Sequence, residues 1–316
     1  MHTENKADYV ASKSTHKPAK SRLSLPGDWS FHIVNYTFLT LFAVVILYPL
    51  WYVLVSSLSS AYAVITNQVW ILPVEFSFDA YRAVLQHRLI MSGYMNSLIY
   101  MTLGTMVNVA LLLTAAYPLS RRNFPGRNIF AIFFFITMFF SGGMIPNFVL
   151  INQLGLFNTR TALIVPFGFS AFNMIIVLSY FRNSLPEELF ESAQMDGCND
   201  IWFFFRIAIP LSTPVIAVVT LMHAIGHWNG FFRALLFVND TSLFPLQLVL
   251  RDILFVTQMS PDMLAMIDDA RLADLISVME LLRFSVIVVG ALPVLILYPF
   301  IQRYFVKGMM IGSIKG

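Results

Sequence analysis

The chain has 316 residues, of which 58% are hydrophobic and only 12% charged, with a formal charge of +3. A soluble domain is nearer half apolar and a quarter charged, and the apolar excess here falls in blocks of about 20 residues, the length a helix needs to cross a hydrocarbon core. This excludes a soluble globular protein, the small charge argues against a nucleic-acid partner, and the single cysteine, Cys198, excludes an internal disulfide or a cysteine-based metal cluster.

Residues 1–33 form a polar tail with Lys6, Lys13, Lys17 and Lys20. No small-residue cleavage site follows a short apolar region, and the first apolar block is too long for a signal peptide, so it is expected to stay as an anchor. Hydropathy then gives six candidate spans: Val34–Leu58, Ser97–Leu119, Ile129–Val149, Ala162–Tyr180, Leu211–Phe237 and Phe284–Phe305. Gly142, Gly143 and Pro146 loosen the end of the third, and Gly290, Pro293 and Pro299 fall inside the sixth. The expected fold is an all-α polytopic membrane protein, with a transmembrane domain over 34–306 and a short C-terminal tail at 307–316.

Cationic residues set the orientation, because cytoplasmic loops carry the excess. The N-terminal tail, the short loop with Arg121, Arg122 and Arg127, the segment with Arg182 and Arg206, and the tail with Arg303, Lys307 and Lys315 lie on one side. That side is the more basic, so both termini are expected in the cytoplasm, with the loop 182–210.

That loop is the polar interruption of the apolar chain. Ser184-Leu185-Pro186-Glu187 fits a capping box with Ser184 as N-cap. Leu185, Leu189 and Ala193 fall on one helical face, and Glu187, Glu191 and Gln194 on another. Gly197 is placed to end the helix, since glycine tolerates the left-handed backbone needed after a last turn. Asn199 or Asp200 then caps a second, aromatic helix through Ile201–Phe205. Two short helices joined by a tight turn fit either a docking element or a hairpin that only packs on its own bundle, and periodicity does not choose between them.

Other polar residues read more plainly. His223 and His227 share a helical face but lack the further ligands of a metal site, so they are expected to face the bundle interior or a wet pathway. Trp228, Asn229 and Arg233 suit a sugar, whose apolar faces and polar edges match an aromatic ring with amide and charged donors. An interface aromatic and a structural hydrogen bond suit them equally. Asn96, Asn108 and Asn173 are expected as interhelical hydrogen-bond partners, and the Phe-rich third span as lipid contact. The acidic set Asp262, Asp268, Asp269 and Asp274 with Arg271 reads as a solvated outer loop face, or as a contact for an external protein.

Residues Glu191 to Pro214 resemble the cytoplasmic EAA loop of ABC importer permeases. Glu191-Ser192-Ala193 is followed by three residues ending at Asp196, then Gly197, then nine residues, then Ile207-Ala208-Ile209-Pro210. Ser192, Cys198 and Ile209 are mild departures from that pattern. Leu72-Pro73-Val74-Glu75-Phe76, Leu154-Gly155-Leu156, Trp228-Asn229, Phe244-Pro245-Leu246-Gln247 and the tail ending Ile314-Lys315-Gly316 are similar to carbohydrate-importer permeases related to the smaller membrane subunit of the maltose transporter. The match is nearest to those serving lipoprotein-anchored binding proteins of Gram-positive bacteria.

The resemblance implies a type I importer permease in the bacterial cell membrane. It would work beside a second homologous permease, two copies of a cytoplasmic ATPase and an extracytoplasmic solute-binding lipoprotein, and would carry a sugar or another polar solute. It implies that Glu191, Ser192, Ala193, Asp196, Gly197, Ile207 and Pro210 couple the chain to the ATPase. The chain has no P-loop, since the glycine-rich tail lacks the Gly-Lys-Ser/Thr ending and a preceding strand. ATP and magnesium are therefore expected on the ATPase, with no cofactor here and no enzyme activity. An ion-coupled secondary carrier is the rival reading. It predicts internal repeats and midplane carboxylates, whereas the six candidate spans contain no Asp or Glu.

Overall fold

A computed structural model describes residues 26–166, 169–256, 282–296 and 298–299, and among these residues no strand occurs. The chain divides into two units, residues 1–51 and 52–316. The helices are α1 (Pro26–Ser57), α2 (Ala61–Ile65), α3 (Asp79–Gln86), α4 (Arg88–Ser120), α5 (Arg127–Phe139), α6 (Met144–Gln153), α7 (Arg160–Ile164) and α8 (Ala171–Ser184). After them come α9 (Glu187–Met195), α10 (Asp200–Phe203), a π-helical turn (Phe204–Ala208), α11 (Ile209–Leu211), α12 (Thr213–Trp228), α13 (Phe231–Phe237) and α14 (Leu246–Val256). A further apolar helix, α15, covers Leu282–Ile296. Four of the helices start at a side-chain cap, in which Ser60, Thr159, Ser170 or Asn199 accepts an N–H of the first turn.

In the first unit α1 is apolar around its circumference, with Trp29, Val34, Phe38, Val45 and Leu50 all exposed. Such a helix suits hydrocarbon or a protein partner rather than water. In the second unit α4 is the axis, packing on α12, α8 and α14. Its buried face holds Gly93, Asn96, Ser97, Gly104, Thr105 and Asn108, small or polar residues of the kind that let helices approach closely in a membrane. A Cβ on Gly93 would lie 3.2 Å from the backbone of Leu246. At Gly104 the missing side chain is replaced by the imidazole of His227, which a methyl group would overlap.

Helices α1 and α4 are long and apolar enough to cross a bilayer, and two bent pairs raise the number to four if each is one span. The breaks fall where a hydropathy window is blind. The stretch 129–149 bends by 115° between α5 and α6, at Ser141-Gly142-Gly143, where Gly143 has φ +83°. The stretch 162–180 is α7 followed by α8, with Pro166 between them. The stretch 211–237 is α12 and α13, parted at Asn229-Gly230. The apolar windows are real, but glycine and proline interrupt the helix inside them.

The loop after α13 is lashed to α4. Asn96 Nδ2 donates to the carbonyls of Ser242 at 2.7 Å and Phe244 at 3.1 Å. The hydroxyl of Tyr100 donates to Leu243 O at 2.8 Å, and Ser97 Oγ accepts the N–H of Leu246 at 2.8 Å. Asn96 Nδ2 thus ties α4 to the loop, while its Oδ1 accepts from Arg160 Nη2 of α7 at 3.3 Å, so the residue also joins helix to helix as expected. Beside it, the Ser242 N–H donates to Asp240 Oδ1 at 2.9 Å and holds that exposed carboxyl below the usual carboxylate range. The acidic set at 262–274, the tail 307–316 and residues 1–25 lie outside the described residues.

Candidate functional site

The loop from α8 to α12 is built from its turn outward. Helix α9 ends at Met195 with Asp196 as its C-cap, and Gly197 follows at φ +82°. The Gly197 N–H donates to Gln194 O and the Cys198 N–H to Ala193 O, both at 2.9 Å. This double bond pattern satisfies the last carbonyls of α9 and requires the left-handed residue that glycine supplies. Asn199 then caps α10, its Oδ1 accepting the Trp202 N–H at 2.8 Å.

The start of α9 differs from the expected capping box. Pro186, in extended backbone, is the N-cap, and Glu187 is the first helical residue. Ser184 is the last residue of α8 instead. Pro186 disfavours the α conformation at Leu185, which sits at φ −120°, so α8 stops there and α9 restarts two residues later than a Ser184 cap would set it.

The loop buries one side and exposes another. Leu185, Phe190, Ala193, Phe203 and Phe204 enter the main core with Leu112, Tyr117, Met174, Phe181 and Val219. Ala208 joins that core from the π-helical turn. Facing outward are Glu191, Ser192, Asp196 and Pro210, with Met195 89% and Ile201 71% exposed beside the exposed rings of Trp202 and Phe205. Ser192 Oγ donates to Glu188 O at 2.7 Å. Glu191 makes no ion pair among the described residues. Ala193, Asp196, Gly197 and half-buried Ile207 share one hollow with Trp202, whereas Glu191 and Pro210 do not line it. The loop therefore exposes a carboxylate outside any described ion pair together with apolar side chains.

Three further residues of interest separate. Trp228 is 1% exposed, its Nε1 donating to Gly290 O at 3.0 Å and its ring edge-on to Tyr94 at 5.7 Å. Asn229 is exposed and caps the end of α12. Both line a cavity of about 660 Å³ with Gln247, Arg251 and Gly290. Arg233 lies apart, on α13, its Nη2 donating to Gly226 O at 3.4 Å.

His223 and His227 are buried and held by amides. Asn108 Nδ2 lies 3.3 Å from His223 Nδ1 and 2.8 Å from His227 Nε2, and the Asn173 amide is 3.1 Å from His223 Nε2. A neutral imidazole offers one donor and one acceptor. The set closes if Asn108 donates to both rings, His223 Nε2–H donates to the Asn173 amide oxygen, and His227 Nδ1–H donates to the Gly104 carbonyl. Helices α4, α8 and α12 are thereby joined through one buried polar cluster.

Sequence reading missed two features. One is the π-helical turn Phe204–Ala208, for which no residue pattern gives a signal. The other is Arg121, which reads as an ordinary loop cation yet has its guanidinium 4.8–4.9 Å from the ring centroids of Tyr117, Phe190 and Phe203.

Among the described residues the chain is helical, with span-length apolar helices and an exposed, glycine-turned polar loop, which is the build of a membrane protein. The family described as binding-protein-dependent transport system inner membrane component matches residues 110–311. The polygalacturonan/rhamnogalacturonan transport system permease protein YtcP of Bacillus subtilis is 39% identical over 287 residues, covering 90% of this chain and 98% of the relative. Protein LplC of the same organism is 38% identical over 286 residues, covering 90% and 95%. Among solved structures, a bacterial ABC transporter involved in import of the acidic polysaccharide alginate matches with TM-score 0.83 and 33% identity, over 90% of this chain and 100% of that one. The chain belongs to the binding-protein-dependent transport system inner membrane component family, as a transport permease subunit and not an enzyme.

Proposed function

We propose that this chain is one permease of an ATP-driven importer for oligosaccharides, and that its loop 182–210 docks on a cytoplasmic ATPase. The observation that carries the reading is the outward face of that loop. Glu191 stands there exposed and without an ion pair among the described residues, one turn before exposed Met195, and the same loop exposes Ile201, Trp202 and Phe205. A carboxylate on a loop that also exposes apolar side chains fixes register when a partner's cation meets it. Glu191 would pair with that cation, Ser192, Ala193, Asp196 and Gly197 would shape the turn, and Ile207 and Pro210 would carry movement into α12.

The cargo follows from the relatives' names, which specify polygalacturonan, rhamnogalacturonan and alginate. The cavity beside Trp228 and Asn229, with Gln247 and Arg251, offers a sugar an aromatic edge, amides and a guanidinium. The assembly would comprise a second, non-identical permease, two ATPase copies that bind ATP and magnesium, and an external binding lipoprotein. Six crossings with both termini in the cytoplasm agree with the cation bias, and the Bacillus relatives support a Gram-positive cell membrane.

Charge reversal by Glu191→Lys tests the reading. It is expected to cost roughly 2–5 kcal/mol at the docking face, so the ATPase should be lost when the complex is purified through the permease. Retention of the ATPase together with normal transport would overturn the docking assignment.

A further inference from the structure

We propose that Arg121 is a positioning residue that transmits movement of the docking loop to α4. Arg121 is the residue after α4, one turn beyond Tyr117, and its N–H donates to Pro118 O at 3.1 Å. Its guanidinium carbon lies 4.9 Å from the Tyr117 ring, 4.8 Å from Phe190 on α9 and 4.8 Å from Phe203 on α10. One cation therefore touches both short helices of the loop and the end of α4.

The rings also touch one another. Phe190 meets Phe203 edge-on at 5.0 Å, and Tyr117 meets Phe203 at 6.5 Å and Phe204 at 4.8 Å. Nε and Nη2 of Arg121 are buried and meet no acceptor among the described residues. Ring faces are then what offsets the cost of desolvating those two N–H groups, and cation–π attraction is strongest when water is excluded. A flat guanidinium can face several rings at once, which a compact ammonium cannot.

The place of this joint makes it more than packing. Helix α4 has 33 residues and so reaches about 50 Å. Its middle holds the Asn108–His227 contact and its far end holds Asn96 and Ser97 on the loop at 242–246. Displacing α9 and α10 relative to the bundle must drag or break the Arg121 cage. Dragging it would shift a rigid element that spans the unit, the kind of two-position part through which distant sites are coupled.

The inference rests on the docking reading, and the experiment separates the two. The full complex is prepared with Cys198→Ser and Met91→Cys, since Met91 is an exposed residue in the first turn of α4. Maleimide labelling of Met91→Cys is compared between the nucleotide-free complex and the complex trapped with magnesium, ATP and vanadate. The labelling rates of the two states should differ severalfold with Arg121 intact. Arg121→Met and Arg121→Lys should retain the ATPase and its hydrolysis, while the ratio of the two labelling rates falls close to one. Glu191→Lys should release the ATPase itself. If Glu191→Lys releases the ATPase and Arg121→Lys keeps the full labelling difference, the Arg121 inference fails and the docking reading stands, whether or not Arg121→Met assembles. Absence of any trapping response with Arg121 intact overturns the inference too. Unchanged ATPase binding in Glu191→Lys is instead the failure of the docking reading.

Discussion

Gly104 shows how one absent side chain organises three helices. Its missing Cβ leaves room for the His227 ring, which also receives Asn108. Gly104→Ala is expected to push α12 off α4 and to destabilise the unit by about 1–3 kcal/mol, the usual cost of overpacking a filled interior. The thermal midpoint of the detergent-solubilised protein should fall. Gly226→Ala is the control on the same helix as His227, because a methyl there meets nothing within 4 Å and alanine is the better helix former. Equal midpoints for the two variants would remove the role assigned to Gly104. The pair His223 and His227 was legible as one helical face from its spacing of four. Its partners were not, because Asn108 and Asn173 lie 115 and 50 residues away from His223 in sequence, and spacing carries no information across such distances.

At the scale of elements, the turn between α9 and α10 was legible while the entry to α9 was not. Gly197 and Asn199 act through backbone bonds to residues within five positions, so local chemistry alone sets them. Ser184 and Glu187 had the right spacing for a capping box, but the outcome depended on how far α8 continues, which packing of Phe181 and Leu185 into the core decides. Hydropathy likewise located the apolar stretches and missed the 115° bend before Met144 and the 81° bend between Leu211 and Thr213, since a window averages composition and is blind to direction. Gly197→Ala tests the turn itself. Forcing an alanine to φ +82° costs about 1–2 kcal/mol, so the variant should loosen the second helix and weaken retention of the ATPase. Gly197→Asn should lose less, because asparagine tolerates that backbone. Equal retention by Ala and wild type in a pull-down would show that the turn is not what presents Glu191.

For the whole molecule, the decisive question is which side of the membrane the loop meets. The apolar stretches agree with a membrane bundle, and the cation bias from Arg121 to Arg127 against the segment near Asn158 predicts that the loop 182–210 faces inward. The chain supplies its own probe, since Cys198 is its only cysteine and sits in the turn itself, partly exposed. A membrane-impermeant maleimide applied to intact cells should leave Cys198 unlabelled, and labelling should appear once the membrane is opened. In a Cys198→Ser background, Asn239→Cys should behave in the opposite way. Asn239 is exposed in the loop after α13, at the far end of α12 and α13 from the docking turn. If α12 and α13 together make one crossing, these two positions must lie on opposite sides. Labelling of Cys198 in intact cells, or of both positions together, would place the loop away from any cytoplasmic motor and would require a different topology for the bent helices that follow it.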